Sequence, residues 1–200
     1  MLYTYLALLC AGVTTYKAIK ESEAIPGQFL CVVGAAGGLG HLAIQFGKAM
    51  GLRVIALDVG ENKLEFCRSL GAEYTIDAQD AEAWKIVKSY TNGGAHAVVC
   101  VAPHAVAYTN TVYMCRPKGT IVCVGLPAGN IQIPISELVM NRITLRGSIV
   151  GNRQDMKEVM DFANRGLVKC SICVAPLESV NEVVEEMKMN KYEGRVVFEM

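Results

Sequence analysis

Apolar positions along the chain fall into two alternating patterns. Short unbroken runs at residues 30–33, 54–57, 95–101 and 120–124 are rich in Val, Ile, Leu and Cys, as expected of strands covered on both sheet faces. Between them, apolar side chains recur every three or four residues, the spacing of a helix with one buried face. In chain order this predicts a helix, or two short ones, over 5–20 with Gly12 as an interruption, then a turn at Pro26 and Gly27 into the first strand. A helix follows through Leu39, Leu42, Ala43, Ile44, Phe46 and Met50, and a strand over 54–58. Residues 61–70 read as a helix stopped by Gly71. A short strand at 74–76 leads to a helix over 80–90, with Trp84, Ile86 and Val87 inward, and to a loop at Asn92, Gly93 and Gly94. Strands at 95–101, 120–124 and 143–150 alternate with helices at 104–115 and 155–164, and a last helix (180–189) and strand (194–198) lie outside that count. Six strands alternating with helices specify an α/β fold, a doubly wound six-stranded parallel sheet of the Rossmann type. No internal repeat or low-complexity tract interrupts it.

The first strand runs into Gly34, Gly37, Gly38 and Gly40. Glycines there let the chain leave a buried strand and bring backbone N–H groups against a pyrophosphate, which the positive end of the next helix stabilises. Gly37 and Gly40 hold the second and third places of G-x-G-x-x-G, whereas the first is Ala35, with Gly34 one residue early. Asp58 ends the second strand, 18 residues after Gly40, where a carboxylate accepts from adenosine ribose hydroxyls and repels a 2′-phosphate. Strand, loop, helix, strand and acid in register point to NAD; a tight turn without a ligand is the competing reading of the glycines alone.

Composition narrows the partners. Lys and Arg total 19, as do Asp and Glu, so no basic field exists to hold nucleic acid. No run approaches the roughly 18–20 apolar residues of a membrane span, and residues 1–13 lack the basic start of a signal peptide. Hydrophobic content of 52% against 19% charged argues for a large buried sheet or a sizeable interface. Of the eight cysteines, Cys31, Cys67, Cys100, Cys115 and Cys123 mostly sit inside apolar runs at no metal-ligand spacing, which predicts reduced, buried thiols and a cytoplasmic location. Cys170 and Cys173 form a CxxC without the helix start that a thioredoxin-like site requires.

The segments LLCAGVTTYKAI, VVGAAGGLGHLAIQFGKAMG, TNGGAHAVV, VGLPAG, GSIVGNRQD and EGRVV together resemble the fungal and bacterial tetrameric zinc alcohol dehydrogenases, a branch of the medium-chain dehydrogenase/reductase family in which Ala often holds the first glycine place. The resemblance runs from about Leu8 to Val197. It implies a coenzyme-binding domain at 23–173, flanked by remnants of a GroES-like catalytic domain: an edge and connecting helix at 1–22 and a return segment at 174–200. By position it implies that Gly37, Gly38 and Leu39 line the pyrophosphate, that Asp58 and Lys63 meet the adenosine ribose, and that Arg195 neutralises a phosphate. Val124 and Leu126 would flank the nicotinamide, and Ser148 and Val150 would contact it through the backbone. Read alone, Lys63 is a solvated helix-start lysine, Arg195 a surface charge, and Val124 and Leu126 strand-end packing.

Cys10 is the single candidate ligand of the family's catalytic zinc, a site that needs two cysteines and a histidine with a fourth position open; alcohol dehydrogenase is itself a standard example. His41 and His104 fall near the cleft, but no spacing brings either to Cys10, and His41, His96 and His104 are expected to be satisfied or solvent-facing. The resemblance therefore implies NAD as cofactor, zinc only in the full-length family, an alcohol or aldehyde as substrate, and weak or absent activity for these 200 residues alone. It also implies a homo-oligomer paired through residues 131–150. The alternatives are a non-catalytic NAD-binding or oligomerisation module and a zinc-independent quinone reductase, against which Asp58 and Cys10 argue.

Overall fold

A computed structural model describes residues 2–189 and 191–199. The chain opens with α1 (Leu2–Ala7), a π-turn at Leu8–Gly12 and α2 (Val13–Glu21), continuous with one another. Gly12 therefore does not break the helix as expected. A Cβ there would lie 2.7 Å from Leu8 Cδ2 and 3.4 Å from Val159 Cγ1, so the missing side chain is what lets the widened turn pack.

Three strand–helix units follow: β1 (Phe29–Val33) with α3 (Gly40–Ala49), β2 (Arg53–Asp58) with α4 (Glu61–Ser69), and β3 (Tyr74–Asp77) with α5 (Ala83–Thr91). The second half contains β4 (Ala95–Cys100), α6 (Ala105–Met114), β5 (Cys115–Cys123), α7 (Ile135–Asn141), β6 (Thr144–Gly147) and α8 (Arg153–Asn164). The six strands pair in parallel in the order β3-β2-β1-β4-β5-β6. Successive β1 side chains point to opposite faces. Leu30 and Val32 join Ala43, Ile44, Phe46 and Tyr16 on one side, whereas Cys31 and Val33 join Ile55, Val87, Tyr108 and Ile121 on the other. Each fully buried Ile or Leu in these layers contributes about 1.5–3 kcal/mol, which is why the first two halves of the pattern read so clearly as strands and helices.

Departures from the expected boundaries have local causes. α5 begins at Ala83 rather than near residue 80 because the Asp77 and Asp80 carboxylates accept from the Gln79 and Glu82 N–H groups, making turns instead of a helix start. Trp84 is half-buried, its ring tilted against Tyr113 at 5.6 Å. β6 stops at Gly147, short of residue 150, since the chain swings out of the sheet into α8, whose start is fixed by a reciprocal capping box between Asn152 and Asp155. α7 and β7 (Ile172–Pro176) were not foreseen. After a 3₁₀ turn at Leu177–Ser179 come α9 (Val180–Lys188) and β8 (Arg195–Glu199), and β7 and β8 form a separate two-stranded parallel sheet. Cys170 is buried just before β7 and Cys173, within it, is exposed; both are free thiols.

Candidate coenzyme site

The C-terminal ends of β1, β2 and β4 open onto a cavity of about 430 Å³. It lies where strand order reverses between β1 and β4, the crevice in which open parallel sheets bind ligands. The loop from β1 to α3 forms its floor. Gly34 takes φ +85°, and a Cβ on it would meet Ala102 backbone at 3.0 Å. Gly34, not the first fingerprint place at Ala35, thus makes the turn out of the strand, while Ala35 is buried. Gly40 lies so close to Gly34 and Ala35 that a Cβ would stand 2.1 Å from the Gly34 carbonyl oxygen. Among the described residues, the Gly37, Gly38 and Leu39 N–H groups have no hydrogen-bond acceptor, and they precede the positive end of α3.

Asp58 closes one end. Its Oδ2 accepts from the Ala36 N–H at 2.8 Å and its Oδ1 from the Val59 N–H at 2.8 Å. Lys63 Nζ stands 3.6 Å from Oδ1 with its side chain only 17% exposed, so it is not a solvated helix-start lysine. A carboxylate has about four lone-pair positions, and two remain for a ligand. Arg195 reaches over the loop from β8: a Cβ on Gly38 would lie 2.6 Å from its Cδ and 2.9 Å from a guanidinium nitrogen. The return segment is tied there by Gly194 N–H donating to the Ala36 carbonyl at 3.1 Å.

Gly37, Gly38, Leu39, Asp58, Lys63 and Arg195 thus line one cavity. Val124, Leu126, Ser148 and Val150 do not line it; they stand beyond the ends of β5 and β6. Leu126 is largely exposed, at 86%, which is no strand-end packing. The Ser148 N–H donates to the Cys123 carbonyl at 3.0 Å, and its hydroxyl oxygen is buried without a partner among the described residues. Sequence reasoning missed two residues. Tyr192 lines the cavity and donates to Glu186 Oε2 at 2.7 Å, and that carboxylate holds the phenol up to about 12. Tyr108 is buried under the rim, its hydroxyl donating to the Gly125 carbonyl at 2.6 Å. Neither carries a motif; for Tyr108 the helical spacing on α6 marked a buried face but not the carbonyls that its hydroxyl meets. His104 lines the cavity and is exposed, whereas His41 is fully buried.

Val150 has φ +41°, a conformation that is a true outlier for a β-branched residue. Its neighbour Gly151 is wedged so that a Cβ would touch Val13 Cγ2 at 2.6 Å, and the capping box of α8 fixes the chain just beyond. Val150→Gly relieves strain of about 1–3 kcal/mol against roughly 0.5–1 kcal/mol of added backbone entropy. A net gain of about 1 kcal/mol is expected, read as a higher urea midpoint at unchanged slope; a lower midpoint would show the backbone to be relaxed.

Cys10 is exposed on the π-turn, and no group of three His, Cys, Asp or Glu among the described residues is placed to hold a metal ion. These residues do not fit a zinc site. No helix among the described residues is long and apolar enough to cross a membrane.

The family described as zinc-binding dehydrogenase matches residues 38–165. An alcohol dehydrogenase of Geobacillus stearothermophilus is 43% identical over 193 residues, covering 96% of this chain and 56% of that protein. Alcohol dehydrogenase 1 of Neurospora crassa is 44% identical over 200 residues, covering 98% and 57%. Among solved structures, the alcohol dehydrogenase of the archaeon Aeropyrum pernix superimposes with a TM-score of 0.90 at 31% identity, covering 96% of this chain and 56% of that one. The chain spans a little over half the length of the curated relatives that it matches.

Proposed function

Since the chain belongs to the zinc-binding dehydrogenase family, we propose that it is the coenzyme-binding part of an NAD-dependent alcohol dehydrogenase, which transfers hydride between a primary or secondary alcohol and NAD. In this reading residues 23–173 are the coenzyme domain, and 1–22 and 174–200 are the edges of a catalytic domain. One observation carries it: unpartnered loop N–H groups, two cations and a half-satisfied carboxylate face a single cavity at the strand-order reversal.

NAD, when bound, supplies the hydride acceptor; the chain's own residues do the holding. Gly37, Gly38 and Leu39 offer N–H donors to the pyrophosphate, and Arg195 sets its charge over the same loop. The free lone pairs of Asp58 take the ribose hydroxyls, with Lys63 beside them. Val124, Leu126, Ser148 and Val150, at the ends of β5 and β6, would receive the nicotinamide. Cys10 alone does not hold a zinc ion, so these 200 residues by themselves act as a coenzyme-binding module, and activation of an alcohol needs ligands that they do not supply.

A second copy of the chain is the proposed partner. β6 is a sheet edge, and Ile135, Val139 and Met140 on the preceding helix α7 and Ile149 just after β6 are exposed, apolar surface available to an edge that extends the sheet across a dimer. Fluorescence titration of the chain with NADH, and with NADPH as control, tests the reading. Saturable binding that favours NADH is expected. Preference for NADPH would move the chain to the quinone-reductase alternative, and binding of neither would remove the coenzyme role from these residues.

A further inference from the structure

His41, on the first turn of α3, is fully buried, and no role described above uses it. Its Nδ1 lies 3.0 Å from the Gly37 carbonyl oxygen, and its Nε2 lies 3.2 Å from the Ser171 backbone nitrogen and 3.4 Å from Cys170 Sγ. A backbone N–H only donates, so Nε2 is the acceptor and Nδ1 carries the proton, donating to Gly37. The His41 N–H donates to the same carbonyl at 3.0 Å, which fills both of its lone pairs. Because a trans peptide is planar, a carbonyl pinned toward the helix turns the N–H of the next residue, Gly38, the opposite way.

We propose that His41 is a positioning residue for the coenzyme pyrophosphate: its neutral Nδ1–H form fixes the Gly37–Gly38 peptide with the Gly38 N–H presented to the cleft, and its Nε2 ties that setting to the backbone at Ser171, just before β7. The pyrophosphate half of this rests on the coenzyme reading above; the pinning of the loop does not. Burial keeps the ring uncharged, lowering its pKa to about 4, assisted by the Arg195 cation and opposed by the Gly37 carbonyl. The other titratable group against the ring is Cys170, whose thiol burial pushes up to about 11, so no anion nearby favours the imidazolium.

Two substitutions separate the two bonds. His41→Asn keeps an amide donor near the place of Nδ1, and His41→Gln supplies an acceptor near the place of Nε2 but removes the donor to Gly37. In the 200-residue chain, His41→Asn is expected to keep NADH affinity within about threefold, whereas His41→Gln loses about tenfold or more, the scale of one lost hydrogen bond to a charged group. Adenosine, which has no phosphate, binds both variants as it binds the parent. Amide exchange at position 41, whose N–H donates to the Gly37 carbonyl, rises in His41→Gln and not in His41→Asn. Nitrogen-15 NMR of the parent shows a slowly exchanging Nδ1–H and no titration near the usual histidine range. An Nε2–H form, or equal behaviour of the two variants, overturns the pinning. Normal exchange and tautomer results with no NADH binding by the parent chain overturn the coenzyme reading and the pyrophosphate role with it, and leave the loop geometry standing.

Discussion

Replacing Gly40 by alanine is expected to cost about 3 kcal/mol or more and to abolish NADH binding, whereas replacing Gly37 by alanine is expected to spare the fold and still weaken binding. The difference lies in what each new methyl group meets. At Gly40 a Cβ would stand 2.1 Å from the Gly34 carbonyl oxygen, 2.5 Å from Ala35 Cα and 2.6 Å from the Ala35 carbonyl carbon. All three are backbone atoms of the turn that leaves β1, and none can rotate away, so either the loop or the start of α3 must shift. Overpacking in a close-packed interior costs about 1–3 kcal/mol and more where the backbone itself blocks. For a chain of this length that lowers the melting temperature by roughly 6–12 °C. At Gly37 the nearest atom is the Gly34 carbonyl oxygen at 3.6 Å, an ordinary contact, and the methyl group instead enters the cavity. Calorimetry of both variants beside NADH titration reads the two effects apart. A Gly40→Ala chain that melts with the parent would mean that the loop is looser than its contacts state, and unchanged NADH affinity in Gly37→Ala would mean that the pyrophosphate lies elsewhere.

The same loop shows why part of the site was legible in the residue order and part was not. Gly34, Gly38 and Gly40 are needed for backbone reasons, a positive φ at Gly34 and close approaches at Gly38 and Gly40, and such needs leave a residue-type signature. Asp58 was legible because it ends a strand whose register is fixed by an unbroken buried run. His41 was not. Its spacing on α3 marks it as an inward position, and an inward histidine reads as a satisfied core residue, which it is. What the order of residues does not state is that its two partners are Gly37, one turn away, and Ser171, 130 positions later. Tyr192 is similar, and Arg195 was assigned to a phosphate by the resemblance alone: only the parallel pairing of β7 with β8 brings the two over the loop. β7 itself went unread since Ile172–Pro176 is half exposed and ends in proline, so it lacks the buried run that marked the six strands of the main sheet. α7 is only seven residues long and has no buried residue, so its apolar positions Ile135, Leu138 and Val139 fall in too short a window for periodicity to mark a helix.

Changing Asp58 to asparagine is expected to lower NADH affinity by roughly 10- to 150-fold and to erase most of the preference over NADPH. The carboxylate has two tasks. It holds the turn, through Oδ2 on the Ala36 N–H and Oδ1 on the Val59 N–H, and in the proposed complex it accepts from the ribose hydroxyls. Asparagine keeps one acceptor oxygen, which the buried Ala36 N–H claims, because a donor left unpaired inside the protein costs about 1–3 kcal/mol. The amide NH₂ then faces the cavity and cannot accept. One hydrogen bond to a charged acceptor contributes about 1.5–3 kcal/mol, which sets the fold-change at about 1.4 kcal/mol per factor of ten. Loss of the negative charge also removes the repulsion of a 2′-phosphate and releases Lys63, now 3.6 Å from Oδ1, to pair with it, so NADPH binding rises while NADH binding falls. Titration of the variant with both coenzymes, alongside its melting temperature, measures each effect. A chain that melts near the parent temperature and keeps its NADH affinity would mean that Asp58 serves only the turn and that another residue reads the ribose. A variant that loses both coenzymes equally would place the ionic contribution of Asp58 in shaping the loop rather than in choosing between them.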